Sequence, residues 1–105
     1  MNRINLYSII SSNEAETPEQ GNLAYDKILP EVKKYLQKEE KFYVDFSNIN
    51  NVTTAFINNS VGKLLVELET SKILKLMSFI GFSNNAQIKT VKHSLSNAIA
   101  LSKIQ

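Results

Sequence analysis

Short segments with strand patterning alternate with longer segments with helical patterning, and this alternation most constrains the fold. The first ten residues place Ile4, Leu6 and Ile10 on one side at a period of two, which favours a strand. Residues 41–46 and 73–80 are short apolar runs that predict a second and a third strand. Such alternation with short connections is typical of a parallel sheet with right-handed crossovers. We therefore predict an α/β domain, β-α-β-α-β-α, with a small, mainly parallel three-stranded sheet and three helices.

The first predicted helix has a strong start signal. Thr17, Pro18 and Gln20 have the spacing of a capping box, although the glycine that follows leaves Asn22 as an alternative first residue. Pro30 removes one helical hydrogen bond, but the apolar stripe continues through it in phase. We expect a kinked, near-continuous helix.

The other two helices are predicted from an N-cap and an apolar stripe each. The second begins near Thr53 or Thr54, and the third near Ser83 or Asn84, with the third running nearly to the end of the chain. Their predicted buried stripes are Ile57, Val61, Leu64, Leu65 and Leu68 for the second helix, and Ile88, Val91, Leu95, Ala98 and Ile99 for the third.

Length and composition narrow the classes of protein. The 105 residues are the size of one domain, so we expect a single domain over residues 1–105. The net charge is only +2, and the basic residues are spread over all three predicted helices, so we do not expect nucleic-acid binding. Without cysteine, a signal-peptide pattern or an apolar run long enough to span a bilayer, the expected location is the cytoplasm, with no membrane partner. The abundance of Asn, Ile and Lys hints at an AT-rich bacterial genome.

The residues that usually carry catalysis are scarce. His93 is the single histidine, and it lies inside the third predicted helix with no acidic residue close by in sequence. The three glycines match no phosphate-binding loop, and no metal-ligand or nucleophile motif is present. We therefore predict no enzyme, no metal and no cofactor, with His93 as a partly exposed helix residue.

Residues 44–65 carry the most specific signal, in the sequence VDFSNINNVTTAFINNSVGKLL. An apolar strand ends near Asp45, a short polar loop follows, and Thr53 and Thr54 stand at the start of a helix. A helix N-terminus tolerates negative charge, so a small anion or a nucleotide could bind there. The simpler interpretation is that a threonine at this position caps the helix and that Asp45 stabilises the turn.

These residues resemble the STAS-like domains, a family similar in pattern to the anti-sigma-factor antagonists. The resemblance is carried by VDFSNI and VTTAFINNSVGKLL, within residues 43–65, and more loosely by GNLAYDKILPEVKKYL in residues 21–36. It implies a sheet of order 2-1-3, with the first strand in the centre. It also implies regulation through contact with a protein partner, typically a histidine-kinase-like ATPase. In the antagonists, that partner phosphorylates a serine at the start of the second helix.

Three positions decide whether this sequence retains the phosphorylation site of the antagonists. An ungapped alignment places Thr53, Thr54 and Ala55 on the antagonists' acidic-Ser-Ser motif, with Ala55 at the usual acceptor position. Alanine has no hydroxyl, so the possible phospho-acceptors are Thr54 and Thr53.

The sequence thus predicts a non-catalytic regulatory protein-interaction module, with threonine phosphorylation as a candidate means of control. The alternative is small-anion or nucleotide binding at the N-terminus of the second helix. The predicted partner-binding residues lie in the loop and on the exposed face of the second helix. They are Asn48, Asn50, Asn51, Asn58, Asn59 and Lys63.

Overall fold

The computed structural model describes residues 1–104 and has an α/β architecture with two parallel sheets and six helices in that range. In chain order the elements are β1 (Arg3–Asn5), α1 (Leu6–Ile10), β2 (Glu14–Ala15), α2 (Pro18–Lys38), β3 (Phe42–Asp45), β4 (Asn51–Val52), α3 (Thr54–Asn59), α4 (Val61–Glu67), α5 (Thr70–Leu76), β5 (Met77–Ile80) and α6 (Asn85–Ile104). The α/β class and the parallel main sheet are confirmed, whereas the prediction of three helices and a single sheet was too simple.

The main sheet has three parallel strands in the order β1-β3-β5. The predicted order 2-1-3 was therefore wrong, because the second predicted strand is the central one. Burial explains this: Phe42, Val44 and Asp45 of β3 are all buried, whereas Arg3 of β1 and Ser78 of β5 are exposed. The strand whose side chains are covered on both faces takes the centre.

One face of this sheet forms the floor of the hydrophobic core. Ile4, Val44 and Phe79 stand side by side across the three strands on that face. The ring of Phe42 stacks on Tyr35 of α2, with 5.5 Å between the centroids, which joins the longest helix to the central strand. Aromatic stacking of this kind adds to the area that is buried.

The first strand is shorter than predicted. It ends at Asn5, whose side chain accepts a hydrogen bond of 2.8 Å from the backbone N–H of Ser8 and so caps helix α1. Ser11 then ends α1 in the left-handed conformation, with φ 54°. The alternation of residues 6–10 was misleading, because an N-cap asparagine converts this short apolar run into one and a half helical turns.

Helix α2 has the predicted start and runs through its proline. The Thr17 hydroxyl accepts from the Gln20 N–H, and the Gln20 side chain accepts from the Thr17 N–H, which confirms the capping box. Pro18 therefore begins the helix, and Asn22 does not. Pro30 lies on the exposed side of the helix, where water can satisfy the carbonyl group that the missing N–H leaves free.

The second predicted helix is split, and the third predicted strand is partly helical. Ser60 departs from helical geometry with φ −119° and ψ −97°, and it separates α3 from α4. Residues 73–76 belong to α5, because Ile73 and Leu76 are buried three residues apart while Leu74 is half-exposed. A continuous apolar run does not distinguish a strand from a buried helix turn.

A second, two-stranded parallel sheet lies where the sequence predicted only loops. Strand β2 pairs with β4, and the register places Ala15 beside Val52. Two residues a strand are too few to give a recognisable pattern. Helix α6 has the predicted cap, since the Asn84 side chain accepts a hydrogen bond of 3.0 Å from the Gln87 N–H.

Within residues 1–104, no helix is long and apolar enough to cross a membrane.

Candidate functional site

A buried carboxylate lies at the carboxyl ends of the sheet strands. Asp45 ends β3 and is 2% exposed. Its Oδ1 accepts from the Ser47 backbone N–H at 2.9 Å and from the Ser47 hydroxyl at 2.7 Å. Its Oδ2 accepts from the Asn5 side chain at 3.3 Å and lies 3.7 Å from the Arg3 guanidinium. The carboxylate thus joins the ends of β1 and β3.

These contacts determine the ionisation of Asp45. Burial by itself raises the pKa of this carboxyl, because the charged form loses solvation. The hydrogen bonds from Ser47 and Asn5, together with the charge of Arg3, outweigh burial and lower the pKa below its usual value. Asp45 is therefore ionised, which fits the predicted turn-stabilising role. We call this carboxylate and its contacts with Ser47, Asn5 and Arg3 the Asp45 brace.

Gly81 closes the same edge from the end of β5. It has φ +81°, in the left-handed region that favours glycine. A Cβ at this position would lie 2.7 Å from the Ser47 backbone nitrogen and 2.6 Å from its hydroxyl oxygen, and it would collide with the Asp45 carboxylate. Only a residue without a side chain fits between this turn and the brace.

Beyond Asp45, the polar loop between β3 and β4, residues 46–50, is held by hydrogen bonds from Asn13 and from Gln87. The Asn13 side chain donates to the Asn48 carbonyl at 2.7 Å, and the Asn13 carbonyl accepts from the Asn50 N–H at 2.7 Å. Ile49 is fully buried and anchors the loop in the core. The loop is thus a braced structure and not a free turn.

Gln87 provides the third support of the loop. This side chain is 3% exposed, and its Nε2 donates to the carbonyls of Ile49 at 2.8 Å and Asn50 at 2.9 Å. The Ser83 hydroxyl donates to the Ile49 carbonyl at 3.1 Å. The start of α6 is therefore fastened to the loop. The sequence marked Gln87 only as a capping residue and could not reveal a contact across 38 positions.

The three segments bring exposed asparagines together into one surface, which we call the asparagine rim. Each member is an exposed asparagine that lies at the Asn13 contact, in or next to the loop, or at the start of α6. They are Asn13, Asn48, Asn50, Asn51, Asn84 and Asn85. Amides both donate and accept hydrogen bonds, so such a surface suits a polar protein interface.

The two candidate threonines differ in their surroundings. The Thr53 hydroxyl donates to the Glu16 carbonyl at 2.6 Å and accepts from the Phe56 N–H at 3.2 Å, so it caps α3 and ties it to β2. Thr54 is exposed, and its hydroxyl makes no hydrogen bond within residues 1–104. Of the two, Thr54 is the hydroxyl that another protein could reach.

The remaining predicted partner residues do not join the rim. Asn59 packs against Gly21 of α2 and donates to the Ala55 carbonyl at 2.8 Å. The Lys63 ammonium lies over the Tyr25 ring, 4.4 Å from its centroid, as a cation–π contact with α2. Asn58 faces the other way, into a groove between α4 and α6. The predicted surface thus divides into separate parts, because the helix that carries it packs on two neighbours.

That groove has a volume of about 300 Å³ and is mainly apolar. Its lining residues come from α3 and α4 on one side and from α6 on the other. They are Asn58, Gly62, Val66, Asn97, Ala98 and Leu101.

The alternative site, the N-terminus of the second predicted helix, begins a helix of only six residues, α3. One of its otherwise free N–H groups, that of Phe56, already binds the Thr53 hydroxyl. His93 is exposed on α6, as predicted.

Residues 25–87, more than half of the chain, match the family described as STAS-like domain of unknown function (DUF4325). This chain belongs to that STAS-like family. The matched range begins in α2 and contains β3, the loop, the two threonines and Gln87, so most of the braced site lies within the family's domain. No curated protein and no solved structure matches the chain.

Proposed function

We propose that this STAS-like domain is a non-catalytic regulatory module that binds a protein partner through the asparagine rim. The observation that carries the proposal is the convergence of three chain segments on Ile49 and Asn50, which holds neutral amides in one fixed surface. A braced surface loses little conformational entropy when a partner binds. The similarity to anti-sigma-factor antagonists favours a histidine-kinase-like ATPase as that partner.

Regulation is proposed to act through Thr54. This exposed hydroxyl follows the capping residue Thr53 at the start of α3, one position before Ala55. A phosphate there would add a charge of about −1.5 to −2 three residues after Asn51, whose amide donates to the Glu14 carboxylate and is the one rim amide that, within residues 1–104, is already paired with an acidic group. Burying that charge in an interface costs desolvation energy, so phosphorylation is expected to release the partner.

The rim is tested by pull-down of the tagged protein from its native cells with isosteric amide-to-acid variants. Asn50→Asp and Asn85→Asp each place a charge on the rim without changing side-chain volume. Gln37→Glu makes the same change at an exposed position near the far end of α2 and serves as the control. We expect wild type and Gln37→Glu to capture a histidine-kinase-like ATPase and the rim variants to lose it. Equal capture by all four proteins would contradict the assignment of the rim.

The switch is tested separately by incubation with the captured ATPase and ATP. Phosphopeptide mapping is expected to locate phosphate on Thr54, and Thr54→Ala is expected to abolish labelling. Thr54→Glu should weaken capture, whereas Ser71→Glu, at an exposed hydroxyl in the first turn of α5, should not. Phosphate on neither threonine would refute the switch and leave the rim proposal standing.

A further inference from the structure

The last strand of the main sheet, β5, has an unpaired outer edge. Within residues 1–104 no strand lies beyond it. The Phe46 N–H donates to the Ile80 carbonyl at 2.9 Å, so the backbone groups of Ile80 point toward β3. Backbone groups alternate in direction along a strand, and those of Phe79 therefore point away from the sheet. Since no loop or side chain of the described residues bonds to the Phe79 backbone, one donor and one acceptor are free at this edge.

The two edges of the sheet differ in how well they are covered. Ile4, Val44 and Phe79 form one row on the core side of the sheet. Ile4 on β1 is 2% exposed and Val44 is fully buried, whereas Phe79 on β5 remains partly exposed. The Phe79 ring lies 6.0 Å from that of Phe46 and 6.1 Å from that of Phe82, between centroids. An aromatic part of the core thus reaches the surface at β5.

The β5 edge also lacks the features that usually keep a free strand from pairing. Natural proteins protect such edges with charged side chains, with proline or with a covering segment. Residues 76–88 contain no charged residue and no proline. The opposite edge strand, β1, carries Arg3, whose side chain is 55% exposed. An uncharged edge with free backbone groups and an accessible aromatic ring favours the addition of another strand.

We propose that β5 pairs with β5 of a second copy of this chain, antiparallel and about a two-fold axis beside Phe79. The two Phe79 residues would then face each other and exchange two backbone hydrogen bonds. Their rings would lie side by side on the core face of a sheet that continues across both copies, as a stabilising cross-strand pair. On the other face, Ser78 would lie opposite Ile80 of the second copy.

A second copy fits this edge better than a flexible peptide of another protein. The strand β5 is already formed, so pairing of two copies orders no new backbone, whereas a free peptide loses conformational entropy when it becomes a strand. Because neither edge carries a charged side chain, the pairing buries no charge. A strand that pairs with itself about a two-fold axis also gives a closed dimer, the commonest symmetry of soluble oligomers.

Sedimentation velocity of the purified chain, from low micromolar to near-millimolar concentration, tests the association. We expect a reversible equilibrium between monomer and dimer. Ser78→Lys adds a charge at an exposed position of the edge strand, and it should raise the dissociation constant of the dimer several-fold. Ser96→Lys, at an exposed position of α6, makes the same change elsewhere and should leave the constant unchanged. Far-UV circular dichroism checks that both variants fold.

Single-cysteine variants test the register, since the chain has no cysteine of its own. In the proposed pairing, the Cα atoms of Ser78 and of Ile80 in the second copy lie about 4.5 Å apart, within reach of a disulfide. The two copies of Ser78 are diagonal neighbours, roughly 7–8 Å apart, which is beyond that reach. A mixture of Ser78→Cys and Ile80→Cys should therefore form a disulfide-linked dimer faster than either variant alone. Ser96→Cys mixed with Ile80→Cys is the control.

Three results would overturn the proposal. The first is a chain that stays monomeric over the whole concentration range. The second is a dimer that Ser78→Lys and Ser96→Lys affect equally, which would place the interface away from β5. The third is a mixture of Ser78→Cys and Ile80→Cys that crosslinks no faster than the single variants or the Ser96→Cys control, which would exclude the proposed register.

Discussion

Replacing Gly81 by alanine is expected to destabilise the protein severely. At φ +81° an L-residue costs about 1–2 kcal/mol relative to glycine. The added Cβ would also lie 2.7 Å from the Ser47 backbone nitrogen and collide with the Asp45 carboxylate. Relief of that collision must break at least one hydrogen bond to the buried carboxylate, which costs roughly 1.5–3 kcal/mol.

These two contributions predict a loss of about 2.5–5 kcal/mol in the free energy of unfolding. In a domain of this size, each 1 kcal/mol lowers Tm by about 4 °C, so Tm should fall by roughly 10–20 °C. Urea denaturation followed by far-UV circular dichroism measures the free energy, and a thermal scan measures Tm.

Gly62→Ala is the matched control. Gly62 lies inside α4, where alanine gains about 1 kcal/mol in helix propensity, although its Cβ would lie 3.0 Å from the Ile57 carbonyl oxygen. The net change should stay within about 1 kcal/mol. If Gly81→Ala unfolded at the same urea concentration as wild type and Gly62→Ala, the brace at the end of the strands would not matter for stability, and our reasoning would be refuted.

Three further predictions concern buried polar groups. Ser94→Ala should stabilise the protein by about 1 kcal/mol in urea denaturation, because the Ser94 hydroxyl is fully buried and has no hydrogen-bond partner within residues 1–104; a loss of stability would contradict this and would mean that the hydroxyl is hydrogen-bonded in solution. Gln87→Ala should cost about 2–3 kcal/mol, since it removes two hydrogen bonds to the loop, and hydrogen exchange at Asn50 should accelerate with it. The pKa of Asp45 is lowered in the folded state, so its contribution to stability is complete above its unfolded value, near 3.8, and is lost as the pH falls further through the folded value. Asp45→Asn should therefore show a shallower loss of stability below pH 3.8 than wild type, and an unchanged slope would contradict this.

Much of the secondary structure could be predicted from local chemistry. The start of α2 depends on Thr17, Pro18 and Gln20, which lie within four residues of one another, and the start of α6 depends on Asn84 and Gln87. The family was also recognisable, because its signature lies in the continuous stretch around β3 and the two threonines. These features need only residues that are neighbours in the chain.

Local signals failed where apolar runs were short. Residues 6–10 and 73–76 were predicted as strand and are helical, because a run of four or five residues is too short to distinguish a period of two from one of 3.6. The sheet order was wrong for a different reason. It was implied by resemblance, whereas the central place of β3 follows from burial of Asp45 as well as of its apolar neighbours.

The candidate site was predictable only in part. Asn48, Asn50 and Asn51, which the sequence predicts as partner-binding residues, are exposed on and beside the loop, and Thr54 is also exposed. The members that complete the surface, Asn13 and Asn84 among them, lie more than 30 positions from the loop in the chain. Their approach depends on hydrogen bonds such as Asn13 to Asn48, which leave no trace in local sequence.

The sequence by itself thus determined the starts of α2, α3 and α6, the α/β class and the family, because each depends on contiguous residues. Only the tertiary structure decided which strand is central, which threonine hydroxyl is free and which asparagines share a surface. Lys63 and Asn59 illustrate the reason: both are polar residues on a predicted exposed face, yet α2 packs against them. The exposed face of a helix is determined by all the elements that pack around it, and no single segment contains that information.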